Sequence, residues 1–277
     1  MNYKDCYVRP LAWRGGDQMG ISTTHSNINV AIAVWDDWAS YFKIEDRKAG
    51  LKLITSPWKN ATSHIVSQGL HYASAVFEGE RAYNGKIFKS EEHTKRFFKS
   101  AEIIGIKIPY SEDVLNSAKK ELIKKMNYKD CYVRPLAWRG GDQMGISTTQ
   151  SNINVAIAVW DDWASYFKIE DRKAGLKLIT SPWKRPAPDT APYEAKASGP
   201  YIICTMSKEY AETKGYHDAL MLDYRGYVAE GTGANIFFIK GKNIHTPIPD
   251  CFLNGITRQT VIEMVKNQGF KVIERHI

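Results

Sequence analysis

Residues 192–201 read PYEAKASGPY. They set a lysine, Lys196, among small residues at the apparent start of a helix that Gly215 would end. A lysine is usually a solvated surface charge. Small neighbours leave room for a ligand, however, and an amine held away from water or near other cations loses proton affinity. Once unprotonated it can attack a carbonyl and form a Schiff base. The rest of the chain decides between these readings.

A length of 277 residues with 43% hydrophobic and 25% charged residues describes an ordinary globular chain long enough for two domains. Apolar runs such as INVAIAVW are too short to cross a bilayer, and the N-terminus lacks the pattern of a signal peptide. A cytoplasmic protein without membrane contact is expected. Cys6, Cys131, Cys204 and Cys251 form no CxxC pair and no metal spacing, which argues against disulfides and zinc. The formal charge of +8 comes without a long basic run, so small anions are better partners than nucleic acid.

Shifting the sequence by 125 positions superimposes residues 1–59 on 126–184, with one difference, His25 against Gln150. Structural repeats diverge while keeping a pattern, and solenoids need about three copies. Near identity in two copies fits a recent duplication or an assembly join. The copy repeats Tyr7, Arg9, Trp38 and Tyr41 but carries no counterpart of Lys196, so it is no second active site. Residues 60–277 are taken as the functional body.

Within that body HYASAVFEGERAY reads as a strand, with Phe77, Gly79 and Arg81 on one side, and Asn84-Gly85 turns it back. Ser90 and Ser111 are candidate caps for two helices, the first with Phe97, Ala101 and Ile104 at helical spacing, the second carried by Val114, Leu115, Ala118 and Leu122. CYVRPLAW and NINVAIAVW follow as strands, with Tyr132 and Arg134 sharing a face. The expectation is an α+β fold: a small α/β domain over 60–160, a linker over 161–173, and a larger domain over 174–277. In the larger domain ALMLD, YVAEGTGANIFFIK and NIHTP read as a meander. GITRQTVIEMVKNQG leads into a helix with Val261, Met264 and Val265 inward, and KVIERHI begins another strand.

Glu230 lies in AEGTGANIFF, where glycines and Thr232 make a polar crevice beside an apolar strand. GITR offers the amides of Ile256 and Thr257 at a helix start, an anion site that the guanidinium of Arg81 could complete. Taken in order, FEGER, YVRP, RPAPDTAPYEAKASGPY, EGTGANIFF and GITR resemble the branched-chain amino-acid aminotransferases, fold-type IV enzymes that use pyridoxal 5'-phosphate. The resemblance covers nearly all of residues 60–277.

That resemblance implies a two-domain fold with a mixed β-meander or barrel as its larger part, and a homodimer or higher homo-oligomer. Lys196 would hold the cofactor as an aldimine and then move the proton between Cα and C4'. Glu230 would pair with the ring nitrogen and Tyr201 with the phenolic oxygen. Arg81, Ile256 and Thr257 would bind the phosphate, supported by Arg185. Phe77, Gly79, Tyr132, Trp163 and Tyr166 match positions lining the side-chain pocket, Arg134 one that meets glutamate's second carboxylate, and Tyr72 one that reaches a neighbouring subunit. The implied reaction is ping-pong transamination of leucine, isoleucine and valine with 2-oxoglutarate. D-amino-acid transaminases and aminodeoxychorismate lyases share the lysine and glutamate, and a catalytically silent fragment is the alternative of another class. Family members continue beyond residue 277 through a turn bearing glycine and threonine, so the larger domain is expected to be C-terminally incomplete.

Overall fold

The computed structural model describes residues 7–14, 28–35, 53–54, 63–141, 145–148, 151–160 and 169–277. In the N-terminal copy, strands β1 (Tyr7–Arg14) and β2 (Ile28–Trp35) pair antiparallel from Tyr7↔Trp35 to Arg14↔Ile28. The second copy pairs in the same register, from Tyr132↔Trp160 to Arg139↔Ile153. Identical text thus folds into the same two-stranded unit twice. The next repeated strand does not follow suit: β3 (Leu53–Ile54) joins the sheet of the second copy, whereas its counterpart at Leu178 enters a different sheet.

The run expected as one strand from His71 to Tyr83 is three elements. A short helix α1 (Gln68–Tyr72) ends on Ala73 in the left-handed region, and strands β4 (Ala75–Phe77) and β5 (Glu80–Tyr83) follow. Both pair with the same neighbour in one register, Phe77↔Leu136 and Glu80↔Val133. The break at Glu78-Gly79 falls opposite Pro135, whose ring leaves no N–H for the ladder. Only the bond from the Glu78 amide to the Pro135 carbonyl, 2.9 Å, crosses there. Asn84 and Gly85 both take positive φ, as a tight hairpin requires, and return the chain as β6 (Lys86–Ile87).

Two helices cover this sheet. α2 (Ser90–Ile103) has Lys89, not Ser90, at its N-cap; the Ser90 hydroxyl instead reaches Asn116, 3.1 Å away. α3 (Glu112–Met126) is capped by Ser111 as expected, the hydroxyl accepting from the Val114 amide at 3.3 Å. Their inner faces place Phe97, Ala101, Leu115, Leu122 and Ile123 in one cluster with Val76, Ala82, Val133 and Val155, while Val114 points to solvent. In β7 (Cys131–Arg139) every odd-numbered residue is buried and every even one half-buried. The odd residues face the helices. Tyr132 and Arg134 therefore share the opposite face with their cross-strand partners, including Arg81 opposite Tyr132. β8 (Ile153–Trp160) completes the six-stranded sheet, in the order β3-β8-β7-β5-β6 with β4 beside β7.

Of the expected linker, residues 161–168 lie outside the described residues and its end belongs to helix α4 (Ile169–Ala174). The second half holds two three-stranded mixed sheets rather than one meander. In the first, β9 (Leu178–Thr180) runs parallel to β10 (Asp218–Leu222), with helix α5 (Tyr201–Thr213) between them in the chain, and β11 (Val228–Gly231) pairs antiparallel. In the second, β12 (Phe238–Lys240), β13 (Asn243–Thr246) and β14 (Lys271–Glu274) repeat that pattern around helix α6 (Ile256–Asn267).

YVAEGTGANIFFIK is divided between the two sheets. Thr232 turns its hydroxyl to the buried Asp218, and the Gly231 amide closes a turn on Ala234 at 2.7 Å, so the ladder cannot continue. In α6 it is Ile256 and Arg258 that are buried, and Met264, expected inward, is 55% exposed.

Candidate active site

Lys196 precedes its helix rather than starting it, in a segment laid along the edge of β4. Ala197 bridges Val76, the Lys196 carbonyl accepts from the Phe77 amide at 3.1 Å, and the Ser198 amide donates to Ala75 at 2.9 Å. The Lys196 amide donates to the hydroxyl of Ser100 on α2, 2.9 Å away. Both backbone groups of Lys196 are therefore held by the first half of the molecule, and its side chain is left to point where that frame directs it.

The amine donates to the Tyr201 hydroxyl at 2.8 Å and lies 4.8 Å from the centre of the Phe77 ring. Burial drives its pKa down to about 8; the Glu78 carboxylate opposes that, while Arg96 and Arg134 add to it. An appreciable share of Lys196 is thus unprotonated near neutrality, as a nucleophile or base requires. Burial also pushes the Tyr201 phenol upward, so it stays a neutral hydroxyl able to donate.

Glu230, on β11, sits deep enough that burial lifts its pKa to about 7, with the charges of Arg185 and Lys196 pulling it back. Arg185 Nε lies 3.5 Å from one carboxylate oxygen and Asn235 Nδ2 donates to the other at 3.2 Å. Asn235 also donates to the Leu253 carbonyl at 3.2 Å, and a Cβ on Gly255 would stand 2.3 Å from its Oδ1. Glu230 is thereby tied to the residue that caps α6, where Ile256 and Thr257 open the helix. Arg258, the arginine of GITR, is committed to protein partners: Nη2 donates to Glu274 at 2.7 Å and to the Pro247 carbonyl at 2.9 Å, and Nη1 to Asn254, just before the helix cap, at 3.0 Å.

The expected substrate wall is assembled on the even face of the sheet. Arg134 stacks over Phe77 at 4.6 Å and donates to the Tyr132 hydroxyl at 2.6 Å. Gly79 makes room for that hydroxyl, since a Cβ there would lie 2.3 Å from it. Arg81 is on the same face with its guanidinium 5.9 Å over Tyr83. Tyr72 is 38% exposed at the end of α1, and the adjoining Ala73 Cβ is 3.8 Å from a Cβ built on Gly199. Trp163 and Tyr166 lie outside the described residues.

Several further groups lie beside the site. Glu78 is fully buried, with Arg96 donating to both its oxygens at 2.7 and 2.8 Å and His93 Nδ1 2.7 Å away. Burial alone would raise its pKa, but the hydrogen bonds from His93 and Arg96 together with the charges of Arg96 and Lys196 hold it at about 2. Among the described residues, Arg96 Nη1 is buried without a hydrogen-bond partner. Cys204 lies 3.4 Å from Arg185 Nη1 and burial pushes its thiol up to about 12, so it is no nucleophile. The available signal for His93, Arg96 and Ser100 was their spacing on the Phe97 face of α2, polar residues where a helix should be apolar.

A depressed, half-buried lysine amine hydrogen-bonded to a phenol, with a half-buried carboxyl under its electrostatic influence, defines an amine-chemistry site built across two sheets. The chain belongs to the class IV aminotransferases, whose family profile, Amino-transferase class IV, matches residues 75–277. Among curated relatives, the probable branched-chain-amino-acid aminotransferase of Rickettsia felis is 45% identical over 221 residues, covering 80% of this chain and 74% of the relative. Among solved structures, the branched-chain aminotransferase of the archaeon Thermoproteus uzoniensis with norvaline superimposes with a TM-score of 0.74 at 34% identity, covering 79% of this chain and 74% of that one. An aminotransferase from Brucella abortus bound to the cofactor PLP superimposes with a TM-score of 0.69 at 27% identity, over 78% of this chain and 76% of that one.

Proposed function

We propose that this protein is a pyridoxal 5'-phosphate-dependent transaminase that exchanges the amino group between branched-chain L-amino acids (leucine, isoleucine and valine) and 2-oxoglutarate. The observation that carries the reading is Lys196, its amine lowered to about 8 and 2.8 Å from the Tyr201 hydroxyl. The residues fit this cofactor. The half-buried carboxylate of Glu230 is met by Arg185 only at 3.5 Å, and among the described residues Arg96 has a buried N–H group without an acceptor, which leaves places for an added pyridinium and an added phosphate. Arg96 joins Arg81 and the amides of Ile256 and Thr257 as phosphate-binding groups. The bound cofactor supplies an electron sink conjugated to the substrate's Cα.

The chain's own residues do the rest. Lys196 Nζ takes the proton from Cα and returns it, and a pKa of about 8 suits both directions near neutral pH. Tyr201 steadies that amine by its hydroxyl. Glu230 holds a proton at the cofactor's ring nitrogen, where its charged form is favoured by the cation it meets. Phe77, Tyr132 and the methylenes of Arg134 make an apolar wall for a branched side chain. The same Arg134 guanidinium, already at the wall's surface beside Tyr132, is available to glutamate's second carboxylate. Trp163, Tyr166 and, from a second copy in a homodimer, Tyr72 complete the pocket. Segment 60–160 is the substrate-facing domain and 174–277 the cofactor domain.

One site serves both half-reactions, so the first oxo acid leaves before the second enters and the kinetics are ping-pong. The test is reconstitution with pyridoxal 5'-phosphate followed by assay of leucine, isoleucine and valine against 2-oxoglutarate. Turnover with parallel double-reciprocal lines is expected. Turnover of D-alanine instead, or lines that intersect, would overturn the assignment.

A further inference from the structure

We propose that Glu78 is a positioning residue, gripping Arg96 by two of its three guanidinium nitrogens so that the third, Nη1, is presented to the cofactor's phosphate. The proposal rests on the phosphate reading of Arg96 given above. Arg96 Nε and Nη2 are both committed to Glu78, at 2.7 and 2.8 Å. A guanidinium is planar, so fixing two nitrogens in a fork fixes where the third one's hydrogens point. That third nitrogen, Nη1, is buried and has no partner among the described residues. Its neighbourhood is the proposed cofactor site: Glu78, which holds it, adjoins Phe77, whose amide donates to the Lys196 carbonyl at 3.1 Å and whose ring lies 4.8 Å from the Lys196 amine.

Glu78 is itself over-determined. His93 Nδ1 lies 2.7 Å from Oε2, and the Gly79 amide donates to the same oxygen at 3.3 Å. Its carboxylate thus cannot swing, and neither can the fork it holds. A bland alternative is that Glu78 merely neutralises Arg96. The two roles predict opposite signs: a pure counter-ion beside an anion site repels the phosphate, so removing its charge would tighten binding, whereas removing a positioning residue loosens it.

The test compares the affinity of the apo-protein for pyridoxal 5'-phosphate and for pyridoxal, which lacks the phosphate, in wild type, Glu78→Gln, Glu78→Asp, Arg96→Gln and the double variant Glu78→Gln/Arg96→Gln. Gln keeps the size but turns an amide donor toward the guanidinium or the imidazole. Asp keeps the charge but withdraws it by one methylene, and so serves if the Gln variant does not fold. Each Glu78 variant is expected to weaken pyridoxal 5'-phosphate relative to pyridoxal on the order of tenfold, and the double variant to be no worse than Arg96→Gln. A preference for the phosphate that is unchanged or increased in the Glu78 variants, but lost in Arg96→Gln, overturns the positioning role alone. A preference untouched by Arg96→Gln overturns the phosphate reading of Arg96, and this proposal with it.

Discussion

The backbone carbonyl of Lys196 accepts from the backbone amide of Phe77 at 3.1 Å, so the segment bearing the amine is an edge added to the strand bearing the substrate wall. The other backbone group of Lys196 is anchored by Ser100, itself fully buried. Ser100→Ala would leave a buried N–H without an acceptor, a cost of about 1–3 kcal/mol. Urea unfolding of the apo-protein should show that loss, and kcat should fall with it because the amine is no longer held in register. Unchanged kcat in a destabilised variant would show that the anchor serves stability only.

Gly79 and Tyr132 make the second coupled pair. A methyl at Gly79 would meet the Tyr132 hydroxyl at 2.3 Å, and that hydroxyl is the acceptor for Arg134. Gly79→Ala should therefore displace Tyr132 and Arg134 together, at an overpacking cost of about 1–3 kcal/mol, with KM rising for leucine and more for glutamate. Removing the obstructing oxygen in Gly79→Ala/Tyr132→Phe leaves the ring carbon 3.2 Å from the added methyl, so it should recover part of the stability and of the leucine KM, but not the glutamate KM. Recovery of neither would mean that the clash is not what limits the single variant.

How much of this was legible in the sequence differs from residue to residue. Alternation placed Phe77, Gly79 and Arg81 on one face and Tyr132 with Arg134 on the matching one, because period two survives even where Pro135 interrupts the pairing. The hairpin at Asn84-Gly85 and the cap at Ser111 were legible because each is settled by a few neighbouring residues. Ser90 misled because its hydroxyl found a partner on another helix, a tertiary contact that local pattern does not encode. The division of YVAEGTGANIFFIK was hidden for the same reason: Asp218, which captures Thr232, is distant in sequence. Glu78 and Glu80 stand in one short motif, yet each answers to a different helix, through Arg96 and Lys119. LKLIT makes the limit plain, since the same residues join β8 in one copy and β10 in the other.

Glu80 and Lys119 form an ion pair with 0% and 1% side-chain exposure, 2.8 Å apart, with Thr94 Oγ1 also accepting from Lys119 at 2.8 Å. Burial pushes the Glu80 carboxyl up to about 7 against the pull of Lys119. Lys119→Met should leave an uncompensated buried carboxyl and destabilise the fold by about 3–5 kcal/mol. Pairing it with Glu80→Leu should return most of that loss, since the desolvation of both charges disappears together. Chemical denaturation of the two variants checks the order. A double variant no more stable than the single one would show that the pair contributes beyond mutual neutralisation.

The two titrating groups of the site set opposite slopes on the stability of the apo-protein. For Lys196 the folded pKa, about 8, lies below the reference value of 10.5. Between those values the unfolded chain binds the proton and the folded one does not, so stability rises with pH across that window. For Glu230 the folded pKa, about 7, lies above 4.5, and between them the folded state binds the extra proton. Stability from this group therefore falls as pH rises from 4.5 to 7. Together they give the apo-protein a dip between about 7 and 8, where the amine is still charged in part and the carboxyl is losing its proton. Lys196→Met should reduce the alkaline slope and raise stability at neutral pH, and Glu230→Gln should make the acid slope shallower, leaving the share of Glu80, whose carboxyl is also raised to about 7. Urea midpoints taken below, within and above each window measure both. A Lys196→Met curve running parallel to wild type from pH 8 to 10.5 would show that the amine is not buried as a free base, and with it would go the claim that this lysine is primed for attack on a carbonyl.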